Sequence, residues 1–137
     1  MNHKMLVVVY ILTLTLVLFG CQNIKENNSS NTWGNNNKIS TEDISEIKIQ
    51  NKKDSARSLT QQEIKVFMNA INNSVYNQGK LDIRPPDYEV EISLESGQAK
   101  KLYLWIDDGG DLFMDEDESG HYILNEADRT ELKDIFK

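Results

Sequence analysis

Between Ile44 and Gln50, Ile47 and Ile49 alternate with Glu46, Lys48 and Gln50. This is the two-residue period of a strand with one wet side. Thr60 and Glu63 have the spacing of a capping box, and Ile64, Phe67, Met68 and Ile71 follow at helical intervals. They predict a helix with one apolar stripe that ends near Asn72-Asn73. Ser74 to Ile83 admits a short strand, and Pro85-Pro86 forces an extended break after it. Tyr88, Val90, Ile92 and Leu94 alternate with polar neighbours, as do Leu102, Leu104 and Ile106 with Tyr103 and Trp105. These two runs make a hairpin around Ser96-Gly97, and an odd number of loop residues keeps both apolar sets on one face. Asp108-Gly109-Gly110-Asp111 is a second turn, Leu112–Met114 a short strand, Glu116–Gly120 a turn and His121–Leu124 a last strand. Asn125 then caps a helix that packs Leu132, Ile135 and Phe136 inward.

The order strand, helix, meander of three to five strands, helix predicts an α+β fold: a small antiparallel sheet with helices on one face. The predicted domain covers residues 42–137, a length suited to one core.

The chain before it has a different character. Lys4 precedes fifteen uncharged residues, Met5 to Phe19, and the run Leu18-Phe19-Gly20-Cys21 follows the apolar stretch. Fifteen residues of helix reach only ~22 Å, short of the ~30 Å of a hydrocarbon core. The order therefore predicts a lipoprotein signal peptide at residues 1–20, cut between Gly20 and Cys21, with the thiol of Cys21 taking a diacylglyceryl group. Cys21 is the only cysteine, so no disulfide forms within the chain and acylation uses up a thiol otherwise exposed outside the cytoplasm. Residues 21–41 hold seven asparagines between Gln22 and Thr41 and few large apolar residues, Ile24 and Trp33 among them. The stretch reads as a flexible tether.

Removal of residues 1–20 leaves 14 basic against 22 acidic residues, a net charge of −8. Such a surface repels nucleic acid and anionic head groups, so membrane attachment falls to acyl chains, of which one alone binds only marginally. The expected location is the extracytoplasmic face of the cell membrane.

Residues Ile44 to Phe136 resemble the YhfM-like domains of small Gram-positive, Bacillus-type lipoproteins. The resemblance rests on the lipobox, on Tyr88–Leu94 followed by Lys101-Leu-Tyr-Leu-Trp-Ile, on the glycine-rich turn, and on Tyr122-Ile123-Leu124 leading into the closing helix. It implies location and fold, and it supplies no catalytic residues to carry over.

Two constellations are candidates for function. Asp115, Asp117, Ser119, Gly120 and Glu126 fall at calcium-loop spacing, which makes Asp115, Asp117, Ser119 and Glu126 candidate metal ligands. The preceding strand-like Leu112–Met114 in place of an entering helix favours an acidic hairpin turn instead. Asp107, Asp108 and Asp111 are a weaker set. On the hairpin's outward side, Glu89, Glu91, Tyr103 and Trp105 form a candidate binding face. The alternative is that the loop from Ser74 to Asp87 or the closing helix covers the two aromatics, as small domains seldom leave a tryptophan bare. No nucleophile elbow, phosphate loop or zinc spacing occurs, and His121 has no partner identifiable in sequence. The expectation is a non-enzymatic, lipid-tethered module without a cofactor, binding an envelope protein or peptide. A calcium-responsive domain using residues 115–126 is the alternative.

Overall fold

The computed structural model describes residues 31–51 and 53–137, so the predicted signal peptide, cleavage site and Cys21 lie outside the described residues. In chain order the elements are α1 (Trp33–Asn37), a 3-10 turn (Thr41–Asp43), β1 (Ile44–Asn51), β2 (Arg57–Ser58), α2 (Gln61–Asn73), β3 (Val75–Asn77), β4 (Tyr88–Leu94), β5 (Ala99–Trp105), β6 (Leu112–Asp115), β7 (His121–Ile123) and α3 (Glu126–Ile135). No helix among the described residues is long and apolar enough to cross a membrane.

The strands form one sheet in the order β2-β1-β4-β5-β6-β7-β3, antiparallel at every pairing. The α+β class is as expected, but seven strands exceed the expected three to five. At the two edges stand β2, of two residues, which the sequence pattern does not predict, and β3, of three, the short strand admitted between Ser74 and Ile83. Segments that short show no period of their own and exist because a neighbouring strand offers free backbone groups. Between them α2 carries the chain from one edge of the sheet to the other, after which β4 to β7 return as a meander.

The first hairpin turns through Glu95-Ser96-Gly97, closed by the Leu94 amide donating to the Gln98 carbonyl at 2.8 Å. Three loop residues keep the inward sets in phase, and Gly97 at φ 85° supplies the left-handed position that such a loop requires. Ile47, Ile49, Val90, Ile92, Leu102, Leu104, Phe113 and Tyr122 thereby share the inner face. Against them lie Ile64, Phe67, Met68 and Ile71 of α2, whose Thr60–Glu63 capping box is formed, and Leu132 and Ile135 of α3, capped by Asn125. Phe136 stacks on Tyr88 with ring centroids 4.6 Å apart and meets Phe67 edge-on at 6.3 Å.

The N-terminal boundary moves. Within the stretch predicted as tether, Thr32 caps α1, and Trp33 is completely buried in the main core. A Cβ on Gly34 would lie 2.9 Å from Cβ of Asn72, so only glycine lets α1 sit this close to α2. The packed unit therefore begins ahead of Glu42. One large aromatic side chain outweighs a polar neighbourhood, because a buried indole removes up to ~250 Å² of surface from water.

Truncating the chain at Glu42, or substituting Trp33→Ala, is expected to destabilise the domain by about 3 to 5 kcal/mol. Urea unfolding of the 22–137 fragment with and without each change measures this. Coincident midpoints would remove Trp33 from the core.

Candidate functional site on the outer face of the sheet

Alternation that sends Val90, Ile92, Leu102 and Leu104 inward sends Glu89, Glu91, Lys101 and Tyr103 outward. The register sets Glu89 opposite Tyr103, Glu91 opposite Lys101 and Tyr103 opposite Met114. The Tyr103 hydroxyl donates to Oε1 of Glu116 at 2.8 Å, and Lys101 Nζ lies 3.1 Å from Glu89 and 5.3 Å from the Tyr103 ring centroid. The bond to Glu116, then burial, pushes the Tyr103 hydroxyl above its ordinary pKa, against the pull of Lys101. Tyr103 is therefore a neutral, half-buried aromatic held in one orientation among carboxylates. Exposed ion pairs of this kind contribute only ~0 to 1 kcal/mol to stability.

Trp105 does not belong to this surface. It is 8 % exposed, and its Nε1 donates to the Arg84 carbonyl at 2.6 Å. The segment 78–87 is laid across this side of the sheet, the covering loop anticipated as the alternative. It is fastened at Asp87, whose amide donates to the Leu104 carbonyl at 2.8 Å and whose Oδ2 accepts from the Ile106 and Asp107 amides at 3.0 Å each. Arg84 pairs with the same carboxylate and donates to the Asp107 carbonyl, and Nδ1 of His121 contacts the Gly79 carbonyl at 3.2 Å. Burial raises the Asp87 pKa, but Arg84 and the two amides outweigh it and hold it below the ordinary value. Glu89, Glu91 and Tyr103 are what remain of the predicted face.

The acidic hairpin departs further from its calcium reading. Asp115 faces inward on β6 with a fully buried side chain. Its Oδ2 accepts from Trp33 Nε1 and Lys100 Nζ, both at 3.0 Å, and Oδ1 accepts from the Asp117 amide at 3.1 Å. The Asp117 carboxylate pairs with the same Lys100, at 3.3 Å. The Ser119 carbonyl accepts from the Tyr76 hydroxyl at 2.5 Å, while Glu126 begins α3 on the far side of β7. Strand β7 carries the chain away from the turn, so these four residues do not converge. No group of three or more His, Cys, Asp or Glu among the described residues is placed to hold a metal ion, which also removes Asp107, Asp108 and Asp111.

The turn instead carries a hydrogen-bonded network. Glu118 accepts from the Tyr122 hydroxyl and from Asn37 Nδ2, the latter at 3.0 Å, and burial followed by the Glu118 bond drives the Tyr122 hydroxyl strongly upward in pKa. Burial lowers the Lys100 pKa, but Asp115 and Asp117 outweigh it and leave the ammonium favoured. A cleft of about 580 Å³ lies beside Lys100, bounded by Asn37, Ser96, Gln98 and Asp117. Strand parity carried part of this signal, since Lys100 shares the inward phase of Leu102 and Leu104, and Asp115 that of Phe113. Nothing local pointed to Trp33.

Trp105→Ala is expected to destabilise the domain by about 3 kcal/mol, read as a fall in the urea midpoint. For Asp87 the folded pKa lies below the ordinary value of 3.8. Its contribution is therefore complete above that pH and lost as pH falls through the folded value. The stability gap between the wild type and Asp87→Asn should close below about pH 4. A gap that stays constant into acid would mean the carboxylate does not clamp the loop.

No curated protein and no solved structure matches the chain. A family model described as YhfM protein matches residues 40–137, which is most of the chain and nearly all of the fold described above. The chain belongs to the YhfM family.

Proposed function

We propose that the protein is a lipid-anchored domain at the extracytoplasmic face of the cell membrane, serving as a non-enzymatic module that binds an envelope protein or peptide. Support for the anchor comes from the order Leu18-Phe19-Gly20-Cys21 behind Lys4 and fifteen uncharged residues, with Cys21 the sole cysteine. Support for binding comes from one observation above all. Tyr103 stands half-exposed on the outer face, oriented by Glu116 and Lys101, with Glu89 and Glu91 exposed on the next strand.

A fixed aromatic ring loses little side-chain entropy when a partner covers it, and surrounding carboxylates select for basic or donor-rich groups on that partner. The chemistry fits a segment carrying Lys or Arg next to an apolar side chain. Charge at the rim governs association rate, so binding weakens as salt rises.

Two measurements test the reading. Mass spectrometry of the native polypeptide is expected to find residues 1–20 removed and a diacylglyceryl group on Cys21. An intact terminus with a free thiol would end the anchor assignment. Crosslinking in membranes is expected to capture one envelope protein with the wild type and to lose it with both Tyr103→Ala and Glu89→Lys, at stability unchanged within about 0.5 kcal/mol. Capture that survives both substitutions would exclude this face.

A further inference from the structure

The large hydrophobic side chains that stand exposed among the described residues are Val75 (46 %), Leu81 (38 %), Ile83 (37 %) and Ile123 (37 %); Val75, Ile123 and Leu81 lie toward the β3–β7 edge, and Ile83 falls between Leu81 and the Arg84 contact to Trp105. Val75 and Ile123 are direct partners across β3 and β7. Their neighbours Tyr76 and Tyr122 turn inward, ring against ring at 5.3 Å, which leaves Val75 and Ile123 on the outer side. Ile123 is in turn opposite Leu112. Leu81 and Ile83 lie in the segment laid over that side, and Leu81 shares a groove of about 440 Å³ with Met114 and His121. Single exposed apolar residues are ordinary, but here the rest of the outer face is polar and this end alone is not.

The course of the chain indicates what covers the patch. The Asn31 carbonyl accepts from the Tyr76 amide at 2.9 Å, and Thr32 bridges Val75 along the free side of β3. The polypeptide thus joins the domain at the same edge that bears the patch. Nine residues separate Cys21 from Asn31, and the ten Cα–Cα steps reach at most ~36 Å when fully extended. An acyl group on Cys21 keeps this edge within that distance of the bilayer. Strand β4, with Glu89 and Glu91, lies four strands further across, ~19 Å away. The exposed Lys80 next to Leu81 has a long apolar stem that suits an interface, while Asp82 offsets its charge, so the attraction is apolar in origin.

We propose that the edge formed by Val75 and Ile123, together with Leu81 and Ile83, is a lipid-docking surface that rests in the outer leaflet and holds the tethered domain edge-down. This rests on the anchor reading above, and it sets Glu89 and Glu91 of β4 well back from the docked edge.

The test uses the full chain, acylated in a host that processes lipoproteins and reconstituted in neutral phosphatidylcholine vesicles carrying a nitroxide-labelled lipid. With Cys21 acylated, a fluorophore is placed at Leu81→Cys, at Ile83→Cys as a second site, and at Gln50→Cys on the exposed far side of the outer face. Unchanged melting temperatures verify that each variant folds. Quenching at 81 and 83 is expected to be several-fold stronger than at 50, and insensitive to salt. Equal quenching at all three positions on protein that floats with the vesicles would overturn the docking surface while sparing the anchor. Failure to float, with a free thiol at Cys21, would remove the anchor reading and the docking with it. Pyrene excimer emission from Leu81→Cys in place of lipid quenching would assign the patch to a second copy and overturn the lipid assignment.

Discussion

The carboxylate of Asp115 is buried with its charge answered from three places in the chain. The indole N–H of Trp33 comes from α1, the ammonium of Lys100 from β5, and the amide of Asp117 from the turn that follows. A carboxylate taken out of water costs several kcal/mol unless donors replace its hydration. Removing any one donor leaves that cost exposed, so the three segments are held to one another more firmly than surface contacts would hold them. The neighbouring bonds from Tyr122 and Asn37 to Glu118 tie α1 to the turn a second time and add β7. The acidic turn that looks suited to a cation is thereby spent on a lysine and a tryptophan of its own chain.

This network explains why the folded unit starts earlier than its polar sequence implies. Once Trp33 fills the inner face at the far end of the sheet, Thr32 and Asn31 are drawn alongside β3. The position of β3 as an edge follows from the same closure, because α2 crosses the whole sheet before the chain can pair with β7. Where the chain joins the domain is a consequence of one buried ion pair and one indole.

The two faces of the sheet do different things. The inner face carries all of the helices' apolar stripes and most of the stability. The outer face is divided between an acidic half around Tyr103 and an apolar end where the 78–87 segment lies over Trp105. Asp87 ties that segment down through two backbone amides and Arg84, so the cover is built from hydrogen bonds and charge where the inner face is built from packing.

Much of this architecture was legible one residue at a time. The alternations at Ile47–Ile49, Tyr88–Leu94 and Leu102–Leu104, the stripe Ile64-Phe67-Met68-Ile71 and the caps at Thr60 and Asn125 all reappear in place. They are legible because strand phase, helix stripe and cap geometry arise between residues two to four apart. The burial of Trp33 and the fate of Asp115 were not, since they join residues 82 and 15 positions apart, whereas a cover over Trp105 was expected from its size alone. Local chemistry states which side chains face the same way. Which distant partner meets them is settled only when the sheet has closed, because the free energy of burying a charge or an indole belongs to the assembled surroundings and to no single stretch of chain.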